Sequence, residues 1–254
     1  MDEEKQDIII EEGADEKNPL VIPFAIIIAG VIIAAAVIFS VNDIWSTTSG
    51  TDSTRQQASA QAVATSPSIS NIIPVSSGDH IRGNPNAVVK VVEFSDLECP
   101  FCKQFQPTME QVLAAYGDKV AWVYRHYPIA QLHPKAQHEA VASECAAEQG
   151  GNDMFWKYID NIFRITPSNN QLDPSQLDVV AEGLGLDMQK FHSCLSSNRY
   201  DQKISSQIED ATNSGASGTP YSVVIVGNKP VDSIGGAYDF SSVKQIIDSA
   251  LAKQ

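Results

Sequence analysis

Basic residues and cysteines are both scarce in this sequence of 254 residues. It contains 17 Lys and Arg against 31 Asp and Glu, which gives a formal net charge of −14 at pH 7. Few positive groups are available to neutralise phosphates, which argues against a nucleic-acid-binding protein. The four cysteines are too few for a small disulfide scaffold, but they suffice for one reactive pair and one structural pair. The sequence has no internal repeat.

Charged side chains are absent from residues 20–41. At about 1.5 Å per residue, a helix of this length spans ~33 Å, enough to cross a hydrocarbon core of about 30 Å. A cleaved signal peptide is the alternative, but it usually follows a basic flank and has a shorter apolar run. The flank here carries eight acidic and two basic side chains. We therefore predict an acidic N-terminal tail at 1–18 and an uncleaved transmembrane helix at 19–42.

Basic residues are few on either side of the predicted helix. Lys5 and Lys17 precede it, and the next basic residue along the chain is Arg55. Because Lys and Arg near a span favour the cytoplasmic side, this distribution favours a cytoplasmic N-terminus. We expect a single-pass protein of the cell membrane. Its carboxyl-terminal part would lie on the extracytoplasmic side, where disulfides persist.

Residues 43–78 are rich in Ser, Thr, Ala and Gln, and only late in the stretch do Ile72, Ile73 and Val75 break the polarity. Such a composition does not bury a core and predicts a flexible linker. A coil of this length has an r.m.s. reach of about 30–35 Å. The linker would let a domain swing between membrane-embedded and soluble partners, or it would serve merely as a spacer.

The sequence Cys99-Pro100-Phe101-Cys102 places two thiols across the first turn of a predicted helix. Proline is favoured at the first helical position, where its missing N–H costs nothing. A thiolate on Cys99 would lie at the positive end of the helix dipole, which stabilises the anion. The preceding residues, 88–94, predict a buried strand. The motif therefore lies at a strand-to-helix turn, which is typical of a redox dithiol.

Half of a structural zinc site is the alternative interpretation of this motif. It requires two further ligands nearby. The remaining cysteines, Cys145 and Cys194, are far apart in the sequence, and His133 and His138 would project roughly 140° apart around a helix. The sequence favours redox chemistry, and we expect no bound metal and no other cofactor.

Hydrophobic patterning predicts four strands, at residues 88–94, 119–127, 221–226 and 231–234. Apolar side chains at helical spacing follow the first and the last of these strands. Helical patterns also fill residues of about 133–214, between the second strand and the third. The predicted order is βαβ, then a helical block, then ββα.

This order, with the dithiol after the first strand, resembles the thioredoxin superfamily, and the helical block resembles its DsbA-like branch. The resemblance covers about residues 79–254. The matching landmarks, besides the dithiol, are Phe94-Ser95-Asp96, Tyr124-Arg125-His126-Tyr127-Pro128, Ala142-Ser143-Glu144-Cys145-Ala146 and Gly218-Thr219-Pro220. The resemblance implies an α/β thioredoxin fold with a helical insertion at about 133–214.

The resemblance also implies roles for individual residues. Cys99 would be the exposed nucleophile and Cys102 the buried resolving thiol. Pro220 would follow a cis peptide bond beside the dithiol, leaving the backbone of Thr219 free to pair with an extended substrate. Glu93 occupies the position, six residues before the first cysteine, of a buried acid that could carry the proton of Cys102. A hydrogen-bonded strand residue without such a role is the alternative for Glu93.

Phe101 departs from the strongly oxidising members of this branch, which have His at that position. Losing this donor should weaken stabilisation of the thiolate, and the nearby acids Asp96 and Glu98 should act in the same direction. We therefore expect a less oxidising dithiol than in those members. The direction of catalysis stays open at this point.

The implied activity is thiol–disulfide exchange through a Cys99–Cys102 redox pair, forming disulfides in exported proteins that contain cysteine. The implied partner that restores the oxidised form is a membrane protein of the DsbB or VKOR type. One alternative is a reductase or isomerase of the same fold. Another is a redox-silent module that binds peptides beside Pro220.

Cys145 and Cys194 fall within two different predicted helices of the insertion. They are either two inert buried thiols or a structural disulfide. A disulfide is favoured if the domain lies outside the cytoplasm. Closing a loop of roughly 50 residues would then contribute up to ~4 kcal/mol in the chain-entropy model.

Overall fold

A computed structural model describes residues 67–253 of the chain. The predicted acidic tail, the predicted membrane helix and the first part of the predicted linker lie outside the described residues. Between residues 67 and 253, no helix combines the length and the hydropathy needed to cross a membrane.

The described part is a five-stranded mixed sheet with helices on both faces. Its strands are β1 His80–Gly83, β2 Val89–Ser95, β3 Val120–His126, β4 Tyr221–Val226 and β5 Lys229–Gly235. Its α-helices are α1 Pro100–Tyr116, α2 Ala136–Ile165, α3 Ser175–Gly183, α4 Met188–Leu195, α5 Asp201–Asn213 and α6 Phe240–Leu251. Short 3₁₀ turns lie at Ile69–Asn71 and Gly117–Lys119. The predicted thioredoxin fold with a helical insertion, here α2 to α5, is confirmed.

The central strand of the sheet is β2. The strand order is β1-β3-β2-β4-β5, in which only the β2–β3 pair is parallel. Side chains alternate between the two faces of a strand. Val89 and Val91 pack with Cys102 and Phe105 of α1, so Glu93 and Ser95 lie on that same face by alternation. We call it the dithiol face.

The opposite face is covered by α5 and by the segment that precedes β1. Val92 and Phe94 of β2 lie there, packed with Ile72 and with Ala211 of α5. This finding corrects the predicted boundary of the linker at residue 78. Ile72 is only 8% exposed, because its apolar side chain has a hydrophobic face of the sheet to cover.

Strand β1 was not expected from the sequence. It has four residues and pairs antiparallel with β3, with His80 opposite Tyr124 and Gly83 opposite Ala121. So short a segment shows no hydrophobic alternation of its own. It is recognised as a strand only by its pairing with β3.

The predicted helical block contains a long interrupted helix. Gly151 has a φ of 67°, a backbone conformation that favours glycine, and α2 breaks at Gly150 and Gly151. A disulfide between Cys145 of α2 and Cys194 of α4 links the two helices and closes a loop of 49 residues.

Candidate active site

The dithiol lies where β2 ends and α1 begins. Cys99 is the N-cap of α1, and Pro100 takes the first helical position. The N–H of Cys99 donates to the carbonyl oxygen of Asp96 at 3.1 Å, which fixes the turn between strand and helix. The two cysteines are not bonded to each other. Cys99 is 4% exposed, whereas Cys102 has no exposed surface.

The sulfur of Cys99 faces the loop that leads into β4. Its thiol donates to the carbonyl oxygen of Thr219 at 3.3 Å. The peptide bond between Thr219 and Pro220 is cis. The structure therefore places the backbone of Thr219 directly beside the outer sulfur of the dithiol.

Hydrogen bonds favour the thiolate of Cys99. Its pKa falls from 9.0 to about 6, chiefly because the thiol of Cys102 donates to it. Burial opposes this change, while hydrogen bonding with Thr219 and with the backbone N–H groups of Cys102 and Phe101 adds to it. The sequence led us to expect this thiolate to be less stabilised than in the members that have His in place of Phe101. The backbone at the start of α1 supplies donors that do not depend on the side chain at position 101.

The pKa of the Cys102 thiol changes in the opposite direction. Burial raises the pKa of its thiol well above 9.0, and the neighbouring Cys99 and the charge of Glu93 raise it further. Its sulfur accepts a hydrogen bond from the N–H of Asp96 at 3.4 Å. The pair therefore contains one acidic, partly accessible thiol and one buried thiol that keeps its proton.

Glu93 lies on β2, on the dithiol face, and is fully buried. Burial raises its pKa from 4.5 to about 7. The indole Nε1 of Trp122 donates to its Oε2 at 2.8 Å, which limits the rise. A carboxyl group with this pKa can both take and give a proton near neutral pH.

Asp96 and Glu98, which we expected to act mainly as like charges near the thiolate, are buried and hydrogen-bonded. Asp96 accepts from the N–H groups of Glu98 and Ile129, both at 2.8 Å, and lies 2.9 Å from Nδ1 of His133. These bonds fix the loop before Cys99.

Glu98 also holds the loop between α2 and α3. Its carboxylate accepts from the N–H of Asn170 at 2.7 Å, and its carbonyl oxygen accepts from the N–H of Asn169 at 2.8 Å. Ser168, Asn169 and Asn170 all have φ between 55° and 67°, which is uncommon for residues other than glycine. Glu98 also neighbours Glu139 of α2. Burial, together with the carboxylate of Glu98, raises the pKa of Glu139 from 4.5 to about 9.

Comparisons with known proteins give the family. A thioredoxin family model matches residues 76–249. The crystal structure of Pseudomonas aeruginosa DsbA2 superposes with a TM-score of 0.59 at 30% identity, covering 67% of this chain and 93% of that one. The chain is a DsbA-like member of the thioredoxin family. Oxidised BdbD from Bacillus subtilis shares the fold, with a TM-score of 0.62 at 21% identity over 73% of this chain and 99% of that one.

Curated relatives of this DsbA-like chain include much longer proteins. It is 39% identical over 142 residues to the Na(+)/H(+) antiporter NhaA 3 of Salinispora tropica, covering 56% of this chain and 21% of the relative. It is 33% identical over 174 residues to NhaA 1 of Salinispora arenicola, covering 68% of this chain and 25% of the relative. The chain therefore spans about a fifth to a quarter of the length of these relatives.

The structure of the DsbA-like domain brings most of the residues singled out from the sequence together. Cys99, Cys102 and Thr219 are in direct contact, and Glu93 acts on Cys102 through its charge. Phe101 lies at the surface, 60% exposed. The disulfide between Cys145 and Cys194 lies within the helical insertion.

Sequence reasoning missed four residues of the site. Trp122 bonds Glu93, Glu139 pairs with Glu98, and Ser95 and Tyr124 share the dithiol face with Glu93. For Ser95 a signal was present, since it lies two residues after Glu93 on the same strand. The others depend on the register between strands and on packing of the helical insertion.

Proposed function

We propose that the chain catalyses thiol–disulfide exchange in the oxidising direction, on cysteine-containing exported proteins. The observation that carries the proposal is the unequal pair: a Cys99 thiol with a pKa of about 6 beside a fully buried Cys102 thiol with a raised pKa. A thiol of low pKa is both a nucleophile at neutral pH and a good leaving group.

The proposed reaction has two exchanges. A substrate thiolate attacks Cys99 in the Cys99–Cys102 disulfide, and Cys102 leaves as a thiolate that takes a proton. A second substrate thiolate then attacks the substrate sulfur of the mixed disulfide, and Cys99 leaves as a thiolate. Two electrons pass from the substrate to the protein, and the substrate gains a disulfide. The low pKa of Cys99 favours this second step.

Glu93 is the proposed source of the proton that Cys102 takes. It is buried, its charge acts on Cys102, and its pKa of about 7 suits exchange at neutral pH. The backbone of Thr219, beside the outer sulfur, is the proposed partner of an extended substrate, with Pro220 and Pro100 holding the two loops around the dithiol.

Reoxidation requires an electron acceptor outside this chain, and we propose a membrane protein of the DsbB or VKOR type. Extracytoplasmic placement is supported by the disulfide between Cys145 and Cys194, because such bonds persist outside the cytoplasm. It is also supported by the apolar run at residues 20–41. This placement is tested by treating intact cells with a membrane-impermeant reductant and then labelling Cys99 with a membrane-impermeant thiol reagent. Protection of Cys99 until the cells are lysed would refute it.

Equilibration of the purified full-length chain with glutathione buffers tests the direction of catalysis. We expect a potential on the oxidising side, nearer to about −120 mV, the value of DsbA, than to about −270 mV, that of thioredoxin. A potential near that of thioredoxin would favour the reductase or isomerase alternative. Cys99→Ser is expected to abolish exchange altogether, and a fully active Cys99→Ser variant would refute the mechanism in both directions.

A further inference from the structure

Four polar side chains, Glu93 and three around it, lie on the dithiol face, where apolar packing is the rule. Ser95 lies two residues further along β2. The strand register places Tyr124 of β3 and Ser222 of β4 opposite Glu93, on either side of it. Opposite residues in a sheet project to the same face, so all four point towards α1. All four are buried.

Each of these side chains has an oxygen without a hydrogen-bond partner among residues 67–253. They are Oε1 of Glu93 and the hydroxyls of Ser95, Tyr124 and Ser222. A buried polar group left unpaired costs on the order of 1–3 kcal/mol. Such groups are rare in folded proteins, and a catalytic role is one reason for retaining them. Here four of them lie together on the face that the reactive helix covers.

The hydroxyl of Ser95 is the member that links the others to the dithiol. The N–H of the next residue, Asp96, donates to the sulfur of Cys102, which holds that sulfur at the end of β2. The hydroxyl of Ser95 lies beside the carboxyl group of Glu93, the thiol of Cys102 and the phenol of Tyr124, and its interaction with each partly offsets the rise in pKa that burial causes. None of these three contacts is a formed hydrogen bond in this structure. One hydroxyl therefore interacts with the carboxyl group, the buried thiol and the phenol.

The charged and titratable groups that act on this cluster come from three elements. Helix α1 and its N-cap contribute the two cysteines of the dithiol, and β3 contributes Tyr124. Strand β2 contributes Glu93. Asp96, the first residue after this strand, acts on Tyr124 through its charge. The neighbouring strand β4 contributes Ser222 at this position, which does not titrate.

We propose that the hydroxyl of Ser95 relays the proton between Cys102 and Glu93, and that the hydroxyl of Tyr124 positions it. This inference rests on the proposed exchange function and specifies how its buried thiol changes protonation state. A hydroxyl suits the task because it can accept a proton from one neighbour while donating its own to another.

The relay balances in both directions. When a mixed disulfide on Cys99 is resolved, the thiol of Cys102 passes its proton to Oγ of Ser95, whose own proton moves to the carboxylate of Glu93. The thiolate of Cys102 then attacks the sulfur of Cys99. A Cys99–Cys102 bond forms, and the other sulfur leaves as a thiolate with the electron pair of the broken bond. Oxidation of a substrate runs the same transfers in reverse.

Ser95→Ala in the full-length chain tests the relay. The oxidised protein is mixed with glutathione, and rapid acid quenching with mass spectrometry follows the mixed disulfide and its resolution by Cys102. We expect the variant to resolve the mixed disulfide at least about tenfold more slowly at pH 7, since positioned proton transfer contributes on the order of 10²–10⁴-fold. The wild-type rate should level off above the pKa of Glu93, while the variant's rate should keep rising with hydroxide concentration.

Three controls separate a proton relay from a structural role. Thiolate absorbance should report the same pKa for Cys99 in the variant, and Ser95→Thr, which keeps the hydroxyl, should recover most of the rate. Ser214→Ala removes another buried, unpartnered serine hydroxyl, at the end of α5, and should leave the rate unchanged. If Ser95→Ala does not fold, Tyr124→Phe is used instead. We expect it to resolve the mixed disulfide a few-fold more slowly than the wild type and to show the same change in pH profile.

Wild-type kinetics and an unchanged pH profile in Ser95→Ala would overturn the relay. An equal loss in Ser214→Ala would overturn it too, because the loss would then follow from removing any buried hydroxyl. If the wild-type protein does not exchange with glutathione at all, the proposed function itself fails, and the relay falls with it.

Discussion

At the scale of single residues, the chemistry depends on two side chains of the same type in unlike surroundings. The spacing of the two cysteines and the position of Glu93 are visible in the sequence. The pKa values are not, because they follow from burial and from donors in the folded backbone. Trp122 illustrates the difference: it is a buried aromatic residue of β3, and only the structure shows that its indole bonds Glu93.

Phe101 is the residue on which the direction of catalysis depends most. Its backbone N–H already favours the thiolate of Cys99, and its ring is largely exposed. Phe101→His adds a side-chain donor that can carry a positive charge, so we expect the pKa of Cys99 to fall below about 6 and the dithiol to become more oxidising. Each pKa unit of thiolate stabilisation corresponds to about 1.4 kcal/mol, or about 30 mV for this two-electron couple.

Thiolate absorbance as a function of pH and glutathione equilibration measure the two effects of Phe101→His. Phe101→Tyr, which keeps an aromatic ring without the imidazole, is the matched control and should leave both values close to wild type. An unchanged pKa and potential in Phe101→His would show that the side chain at this position does not act on the dithiol.

At the scale of elements, patterning located four of the five strands to within about two residues, and the two adjacent glycines in α2 mark its break. Strand β1 was not predicted, because a strand of four residues is too short to show a hydrophobic alternation. Contacts between elements were the harder part. Nothing in the sequence indicated that Glu139 of α2 would pair with Glu98 in the loop before α1, because the two carboxyl groups meet only when the insertion packs against the dithiol loop.

This carboxyl pair makes stability depend on pH. In the folded protein Glu139 keeps its proton up to about pH 9, whereas in the unfolded chain it loses it near pH 4.5. Between these values the folded state binds more protons, so the free energy of unfolding falls as the pH rises, by up to about 1.4 kcal/mol per pH unit. Glu139→Gln can still donate to Glu98 but has no proton to lose, so we expect a flatter dependence.

Urea unfolding at several values between pH 7 and pH 9 measures this dependence. Glu93, with a pKa of about 7, contributes a slope of the same sign below this window. The Cys99 thiol, whose pKa falls from 9.0 to about 6, would contribute a slope of the opposite sign, so both proteins are measured with the Cys99–Cys102 disulfide formed, in which Cys99 does not titrate. Glu110→Gln, at an exposed position of α1, is the matched control and should follow the wild type. Parallel curves for the wild type and Glu139→Gln would contradict a raised pKa at this position.

At the scale of the whole molecule, the described domain begins before the residue at which the sequence placed it. Arg125 of β3 is buried and donates to Asp79 at 2.7 Å, to Asp210 at 2.6 Å and to the carbonyl oxygen of Ile73 at 2.9 Å. The N–H of Ile73 in turn donates to Asp210 at 2.7 Å. The signal available in the sequence was the few apolar residues late in the predicted linker. That they belong to the folded domain became clear only from the structure, in which Ile72 covers one face of the sheet.

Removing residues 67–78 should therefore weaken the domain. The fragment 79–254 loses buried Ile72 and an acceptor for the guanidinium of Arg125, so we expect a free energy of unfolding lower by about 1–3 kcal/mol than that of the fragment 67–254. Urea unfolding of both fragments measures the difference. Ile73→Ala in the longer fragment keeps the backbone contacts and trims a half-exposed side chain, so its free energy of unfolding should stay within about 0.5 kcal/mol of that of the parent fragment. Equal stability of the two fragments would show that the segment rests on the domain without stabilising it, and would restore residue 79 as the start of the folded unit.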